Sequence, residues 1–335
     1  MKIIRLIILN LFVLFFLILI VENSIPYFNG IKVGSKRQLI IEEYHPNSKI
    51  GYLFKNKVFT KTIDNKGFSI DPNNYSSEFT KSIFFLGSSN VETLYVEEGK
   101  RMSDLTSKKI NLLSKDKFNS FNSGKGGLNS SHVLSHLIYK VIQQDPDYVF
   151  IMPTNDFGYL RNYGGYQNGP KKHFKEFNFF NSIRDLKDLL IPNTYILLRS
   201  FIEFQIPEFG VDNDLKIKSF SKIEETQLDE FENYFRSIVK ICSVFNIRTI
   251  IGTQFYNIEA LEDDEVELVR FMNNEINNIV RKVSKEEGTI LLDLENLVPK
   301  NYEYMYDAGH LNELGCDYVS DLISQTVINL ENENN

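Results

Sequence analysis

The chain has 335 residues, a formal net charge of -7 and a composition that is 42% hydrophobic and 13% aromatic. That is ample material for a packed core and excludes wholesale disorder. The acidic balance argues against a nucleic-acid interface, which needs a basic face.

In chain order, Lys2 and Arg5 precede an apolar run from Leu6 to Val21 that only Asn10 interrupts. The run is just short of the roughly 17–25 residues that span a bilayer. Its exit, Val21-Glu22-Asn23-Ser24, lacks the small-residue site of a cleaved signal peptide. Residues 1–24 are therefore expected to form an uncleaved membrane anchor, with a cleaved signal and a buried helix as the alternatives. The basic residues ahead of the run are expected to leave residues 25–335 outside the cytoplasm. Residues 25–80 carry Pro, Gly and Asn punctuation in HPNSKIGYLF, DNKGFS and DPNNYSS. They read as a juxtamembrane segment that packs on the main domain.

A regular alternation starts near residue 81. KSIFFLG reads as a strand ending at Gly87, RMSDLTSKKINLLS as a helix, and FNSFNSG as a weaker strand running into GKGG. SHVLSHLIYKVIQQ has helical spacing, and DPDYVFIMP is a third strand closed by Pro153. An irregular, aromatic-rich insertion over residues 157–220 follows. Its FGYLRNYGGYQNGPKKHFKEFNFF reads equally as a lid whose Tyr rings stack on sugar and as a lid packed on its own aromatics. A helix near 227–245, a strand in RTIIGTQ, a helix ending at Gly288, a strand in TILLDLE and a closing helix complete the pattern. Strands alternating with such helices predict βαβ units, hence an α/β fold with a mostly parallel sheet covered on both faces.

Ligands of open parallel sheets bind beyond the carboxyl ends of the strands. Those positions hold Gly87-Ser88-Ser89, Gly124 to Asn129, Thr154-Asn155-Asp156, Gln254-Phe255-Tyr256 and Asp307-Ala308-Gly309-His310. A serine becomes a nucleophile only beside a base whose tautomer a third group fixes. DAGH supplies both, with Asp307 three residues before His310. The oxyanion formed on attack needs converging donors. The backbone N–H groups of Ser89 and Gly127 and the side-chain amide of Asn155 are available. Each feature also has a plainer reading: the serines as a helix cap, Gly127 as a turn glycine, Asn155 in an Asx turn, and Asp307 capping the helix that starts near Asn312.

Taken together, FLGSSNVET, FNSGKGGLNSS, MPTND and DAGHLNELG resemble, in order and spacing, the four sequence blocks of the SGNH hydrolases of the GDSL esterase/lipase superfamily. The resemblance covers residues 81–330. It implies a three-layer α/β/α, flavodoxin-like domain and a serine esterase or O-acetyl-transferring enzyme. By carry-over Ser89 is the nucleophile, Asp307 and His310 complete the triad, and Ser89, Gly127 and Asn155 form the oxyanion hole. Two positions depart from the family pattern: Ser88 stands where Asp is usual, and Pro153 where Gly is usual. No G-x-S-x-G elbow surrounds Ser89, which disfavours the α/β-hydrolase alternative.

The resemblance further implies an acylated carbohydrate or other small ester as substrate, on O-acetylated cell-surface polysaccharide. No cofactor and no metal are expected. His132 and His136 sit four apart without a third ligand and read as a packed pair, while Cys242 and Cys316 read as buried free thiols rather than a disulfide. The competing expectation is a non-catalytic, membrane-anchored carbohydrate-binding or assembly protein with a relic site, in which His310 would point away from Ser89.

Overall fold

The computed structural model describes residues 2–29, 32–33, 49–54, 57–153, 225–261 and 263–333, and the single positions 156, 160, 166 and 194. Helix α1 (Lys2–Asn29) leads into strands β1 (Lys32–Val33), β2 (Lys49–Phe54), β3 (Lys57–Ile63) and β4 (Ser69–Ile70). Then follow β5 (Lys81–Gly87), the single turn α2 (Ser89–Glu92), α3 (Met102–Leu113), β6 (Phe118–Asn122), α4 (Ser130–His136) and β7 (Tyr148–Met152). The chain closes with α5 (Glu225–Val244), β8 (Arg248–Gly252), α6 (Asp263–Glu287), β9 (Ile290–Leu292), α7 (Leu294–Leu297) and α8 (Glu313–Glu333).

Among the described residues the strands form one sheet in the order β1-β2-β3-β4-β6-β5-β7-β8-β9. The pairings from β6 through β5, β7 and β8 to β9 are all parallel, and β2 to β4 join the sheet antiparallel. Successive strand residues face opposite sides of a sheet, so a strand buried on both faces reads as a continuous apolar run. Strand β5 does this: Phe84 and Leu86 enter one core, Ile83 and Phe85 the other. Strand β7 repeats the division, with Val149 and Ile151 on one side and Tyr148, Phe150 and Met152 on the other. Helices α4, α5 and α6 cover the first core with Val133, Phe235 and Ile276 among others. Helices α3 and α8 cover the second with Ile110, Val319 and Ile323. Two cores on two faces of one sheet make three layers.

Among the described residues of 25–80, β2, β3 and β4 extend the sheet, which the turn-rich sequence does not suggest. The helix expected over 131–144 ends as an α-helix at His136 and continues as a π-helical turn over Leu137–Val141 and a 3₁₀ turn over Ile142–Gln144. Among the described residues no helix is long and apolar enough to cross a membrane, so the spanning anchor expected over residues 1–24 is not supported. Residues 2–24 do lie within one helix, α1, and Glu22 in its second half accepts a hydrogen bond from the Thr194 N–H (2.7 Å).

The insertion expected over 157–220 falls outside the described residues except at three positions. Of these, Leu160 is buried in the first core and Tyr166 packs its ring on Tyr234 of α5. Cys242 and Cys316 are both free and buried, each in a different core.

Candidate active site

Strand β5 has β6 on one side and β7 on the other: the chain runs from β5 out to β6, then crosses back past β5 to β7 and on to β8. Its carboxyl end is therefore a switch point, where ligands of such sheets bind. Gly87 ends the strand because a Cβ there would lie 2.4 Å from Val91 Cγ2 and 2.7 Å from the Met152 carbonyl oxygen. Only a residue without a side chain lets the turn fold this tightly onto the sheet.

The two serines that follow have different partners. Ser88 precedes the turn α2 without capping it through its side chain; its Oγ instead accepts a hydrogen bond from the Gly127 N–H (3.1 Å). Ser89 Oγ lies 2.8 Å from His310 Nε2. With α2 only four residues long, the serine gains no extended helix behind it.

His310 sits in a loop clamped by the Met305–Leu311 bridge and the Tyr306 N–H to His310 carbonyl bond (3.1 Å). Within the loop Asp307 Oδ1 accepts from the N–H groups of Gly309 and His310, both at 2.8 Å. The carboxylate also meets His310 Nδ1 at 2.8 and 2.9 Å. An ionised carboxylate only accepts, so Nδ1 carries the proton and Nε2 is left to accept from the Ser89 hydroxyl. Burial pushes the Asp307 carboxyl up, but the hydrogen bonds from His310 and the two backbone N–H groups outweigh it and hold the group below its ordinary value. The capping role for Asp307 is excluded by Asn312, whose Oδ1 accepts from the Gly315 N–H (3.0 Å) at the start of α8.

The loop after β6 is fastened along its length to the nucleophile turn. Lys125 N–H donates to the Gly87 carbonyl (3.3 Å), Gly126 N–H to Glu92 Oε2 (2.6 Å), and Gly127 N–H to Ser88 Oγ. Asn122 Nδ2 donates to the Val91 carbonyl (2.8 Å) while its Oδ1 takes the Gly124 N–H (2.8 Å). Two glycines are required here. A Cβ on Gly124 would stand 2.7 Å from the Glu92 nitrogen, and Gly127 has φ +85°, in the left-handed region. Asn129 then starts α4 with a capping box: its Oδ1 accepts from the His132 N–H, and its own N–H donates to His132 Nδ1, both at 3.2 Å.

Of the residues singled out from sequence, Ser89, Asp307 and His310 come together in one hydrogen-bonded chain. Gly127 lies beside them with its N–H on Ser88, and Asn155 lies outside the described residues. Its neighbour Asp156 is buried and accepts hydrogen bonds from the Ser130 N–H (2.8 Å) and the Tyr166 hydroxyl. His132 is buried and His136 half-buried, and desolvation holds both imidazoles down, at about 4. Among the described residues no group of His, Cys, Asp and Glu is arranged to hold a metal ion.

Sequence reasoning missed the aromatic wall beside the base. The Tyr306 ring lies parallel to the His310 imidazole (centroids 5.5 Å apart, 6° between planes) and meets Tyr95, which stacks on Phe54 of β2 (4.2 Å, 15°). It also missed Lys61 and Glu92, a buried ion pair at 2.6 Å under the nucleophile turn. A signal for Lys61 was present: in KVFTKTI it shares an inward face with Phe59 and Ile63.

The fold and these contacts define a Ser-His-Asp arrangement at the switch point of an α/β sandwich. No family model and no curated protein matches the chain. Solved structures similar to it include a lipase/acylhydrolase from Enterococcus faecalis, with 14% identity, 74% of this chain and 95% of that chain covered, and a TM-score of 0.47. An acetyl xylan esterase, AlAXEase, aligns at 16% identity over 73% of this chain and 99% of that one, with a TM-score of 0.47. An acetylxylan esterase from Geobacillus stearothermophilus aligns at 15% identity over 73% and 92%, with a TM-score of 0.46.

Proposed function

We propose that the protein is a serine-dependent enzyme acting on acyl esters, as a hydrolase or an O-acyltransferase. One observation carries this reading: the Ser89 hydroxyl, the His310 imidazole and the Asp307 carboxylate stand in hydrogen-bonded sequence at 2.8 Å per link. In the proposed reaction Ser89 Oγ attacks the ester carbonyl carbon as its proton passes to His310 Nε2, and Asp307 stabilises the resulting imidazolium. The tetrahedral oxyanion takes hydrogen bonds from the N–H groups of Ser89 and Gly127 and from the Asn155 amide, the Gly127 N–H leaving Ser88 Oγ to do so. Collapse breaks the bond to the alcohol, which leaves with the proton from His310, and an acyl-Ser89 intermediate remains. His310 then deprotonates a water or an acceptor hydroxyl, which attacks the acyl carbon; as the acyl carbon–Oγ bond breaks, His310 returns the proton to Ser89 Oγ.

The substrate we propose is an O-acetylated cell-surface polysaccharide, acted on outside the cytoplasm. The aromatic wall of Tyr306, Tyr95 and Phe54 beside the base supports a ring-bearing substrate. Exposed Leu6, Leu9, Phe12, Leu14, Phe16 and Leu17 on α1 support a reading in which this helix holds the protein at a membrane.

Turnover of p-nitrophenyl acetate and labelling by a fluorophosphonate test the enzymatic reading, compared with Ser89→Ala. Loss of both in the variant is expected, with turnover down by about four orders of magnitude or more. Labelling that persists in the variant would reject Ser89 as nucleophile. For location, the wild-type chain is expected in the membrane fraction, and F12E/F16E in the supernatant.

A further inference from the structure

Behind the nucleophile turn lies a set of charges that the reaction above does not use. Lys61 of β3 is fully buried and Glu92 is 4% exposed, and they pair at 2.6 Å. Burial pushes the Lys61 ammonium down, while Glu92 counters it and keeps a charged partner in reach. The second Glu92 oxygen, Oε2, takes the Gly126 N–H at 2.6 Å, a short contact of the kind an ionised acceptor makes. A Cβ on Gly126 would stand 3.8 Å from Ser89 Cβ, so the peptide that Glu92 holds lies against the nucleophile. The next residue is Gly127, whose left-handed φ follows directly on the fixed Gly126.

The buried pair is an expensive way to hold a loop if stability were its only return, because apolar residues of the same volume usually serve a core as well or better. Its geometry also spans distant parts of the chain: Lys61 precedes Glu92 by 31 residues and Glu92 precedes Gly126 by 34. Strand β3, the turn α2 and the loop after β6 thus meet through one carboxylate.

We propose that Lys61 and Glu92 are positioning residues of the active site. Lys61 fixes the Glu92 carboxylate, Glu92 fixes the Gly126 N–H, and together they aim the Gly126–Gly127 peptide at the oxyanion. The inference rests on the serine-enzyme reading above and adds the N-terminal hairpin to the machinery that supports the transition state.

Two double variants separate aim from stability. K61M/E92Q removes both charges but keeps an oxygen that accepts from Gly126 N–H, whereas K61M/E92L removes the acceptor at similar volume. We expect K61M/E92L to lower kcat for p-nitrophenyl acetate by about 100-fold or more, the scale of a lost oxyanion donor, with KM within about twofold. K61M/E92Q should lose less than about tenfold on the same scale. A folded K61M/E92L with kcat near wild type would overturn the proposal, as would equal losses in both variants.

The backbone amide resonances of Gly126 and Gly127 give a second readout that needs no turnover. Both are expected to shift in K61M and in E92Q, and unchanged resonances would overturn the proposal even if K61M/E92L fails to fold. A wild-type chain that neither hydrolyses esters nor labels would reject the serine-enzyme reading, while the amide shifts would still decide whether Lys61 and Glu92 set the loop.

Discussion

Strands β5 to β9 run parallel between two apolar cores, whereas β2 to β4 run antiparallel and turn a lysine inward. The halves meet at β4 and β6 through a single register pair, Ser69 with Asn122. Nucleophile and base belong to the parallel half: Ser89 follows β5, and the Asp307–His310 loop is tied to the loop that follows β8 by the Asn257 N–H to Ala308 carbonyl bond (2.8 Å). What braces the loop between them comes partly from the antiparallel half, through Lys61. The contrast teaches that the parallel half supplies reactive groups from strand ends, while the hairpin supplies rigidity from beneath. The site lies along their seam.

The largest effect should come from Asp307→Asn. The amide presents an N–H where His310 needs an acceptor, so the imidazole reverses its tautomer and loses its base nitrogen toward Ser89. We expect kcat to fall by about four orders of magnitude, with a melting curve close to wild type. A large loss of stability instead would mean that the parallel half does not separate chemistry from folding.

Next is Phe68→Ala. This ring, at the entry to β4, packs edge-on against Phe84 of β5 and Phe121 of β6. Removing it should cost about 3–5 kcal/mol in denaturant unfolding, in a single transition. A small, separate transition would show that the hairpin folds apart from the parallel half.

Third is acidification, which bears on α4. His132 Nδ1 accepts from the Asn129 N–H and must be unprotonated to do so. Burial holds its folded-state value at about 4, below the ordinary 6.5, so the unfolded chain takes up the proton first as pH falls. The stabilisation is complete above pH 6.5 and is lost progressively down to about pH 4. It amounts to something on the order of 3 kcal/mol. Chemical denaturation across that range should show the decline; His132→Gln should remove the His132 share and leave the part due to His136, which is held at about 4 as well.

The smallest effect is Gly124→Ala. Its methyl group meets the Glu92 nitrogen and Val91 Cγ1 (2.9 Å), forcing the loop off the nucleophile turn. A cost of about 1–3 kcal/mol is expected, with slower fluorophosphonate labelling of Ser89. An unchanged labelling rate would argue that the loop is not braced as closely as the contacts indicate.

The contrast between the halves also governs how much the sequence reveals. Runs such as KSIFFLG and YVFIM, buried on both faces, announce parallel strands. Ser89, Asp307 and His310 follow from reading strand ends in order. The hairpin hides because β4 is two residues long and β3 interrupts its inward face with Lys61. Its partner Glu92 hides too, since a Glu in the first turn of a helix ordinarily faces solvent. The unequal roles of Ser88 and Ser89 cannot be read locally: His310 is 221 residues away from Ser89.

The two cysteines give the molecule an internal pair of clocks. Burial pushes Cys242 up to about 11 and Cys316 to about 12, so neither thiol reacts while its layer stays closed. Because the sheet stands between them, a thiol reagent would time the opening of each face independently, without any label added to the protein. A sample produced under reducing or oxidising conditions should be the same folded molecule, since no bond between these sulfurs can form until both layers have come apart.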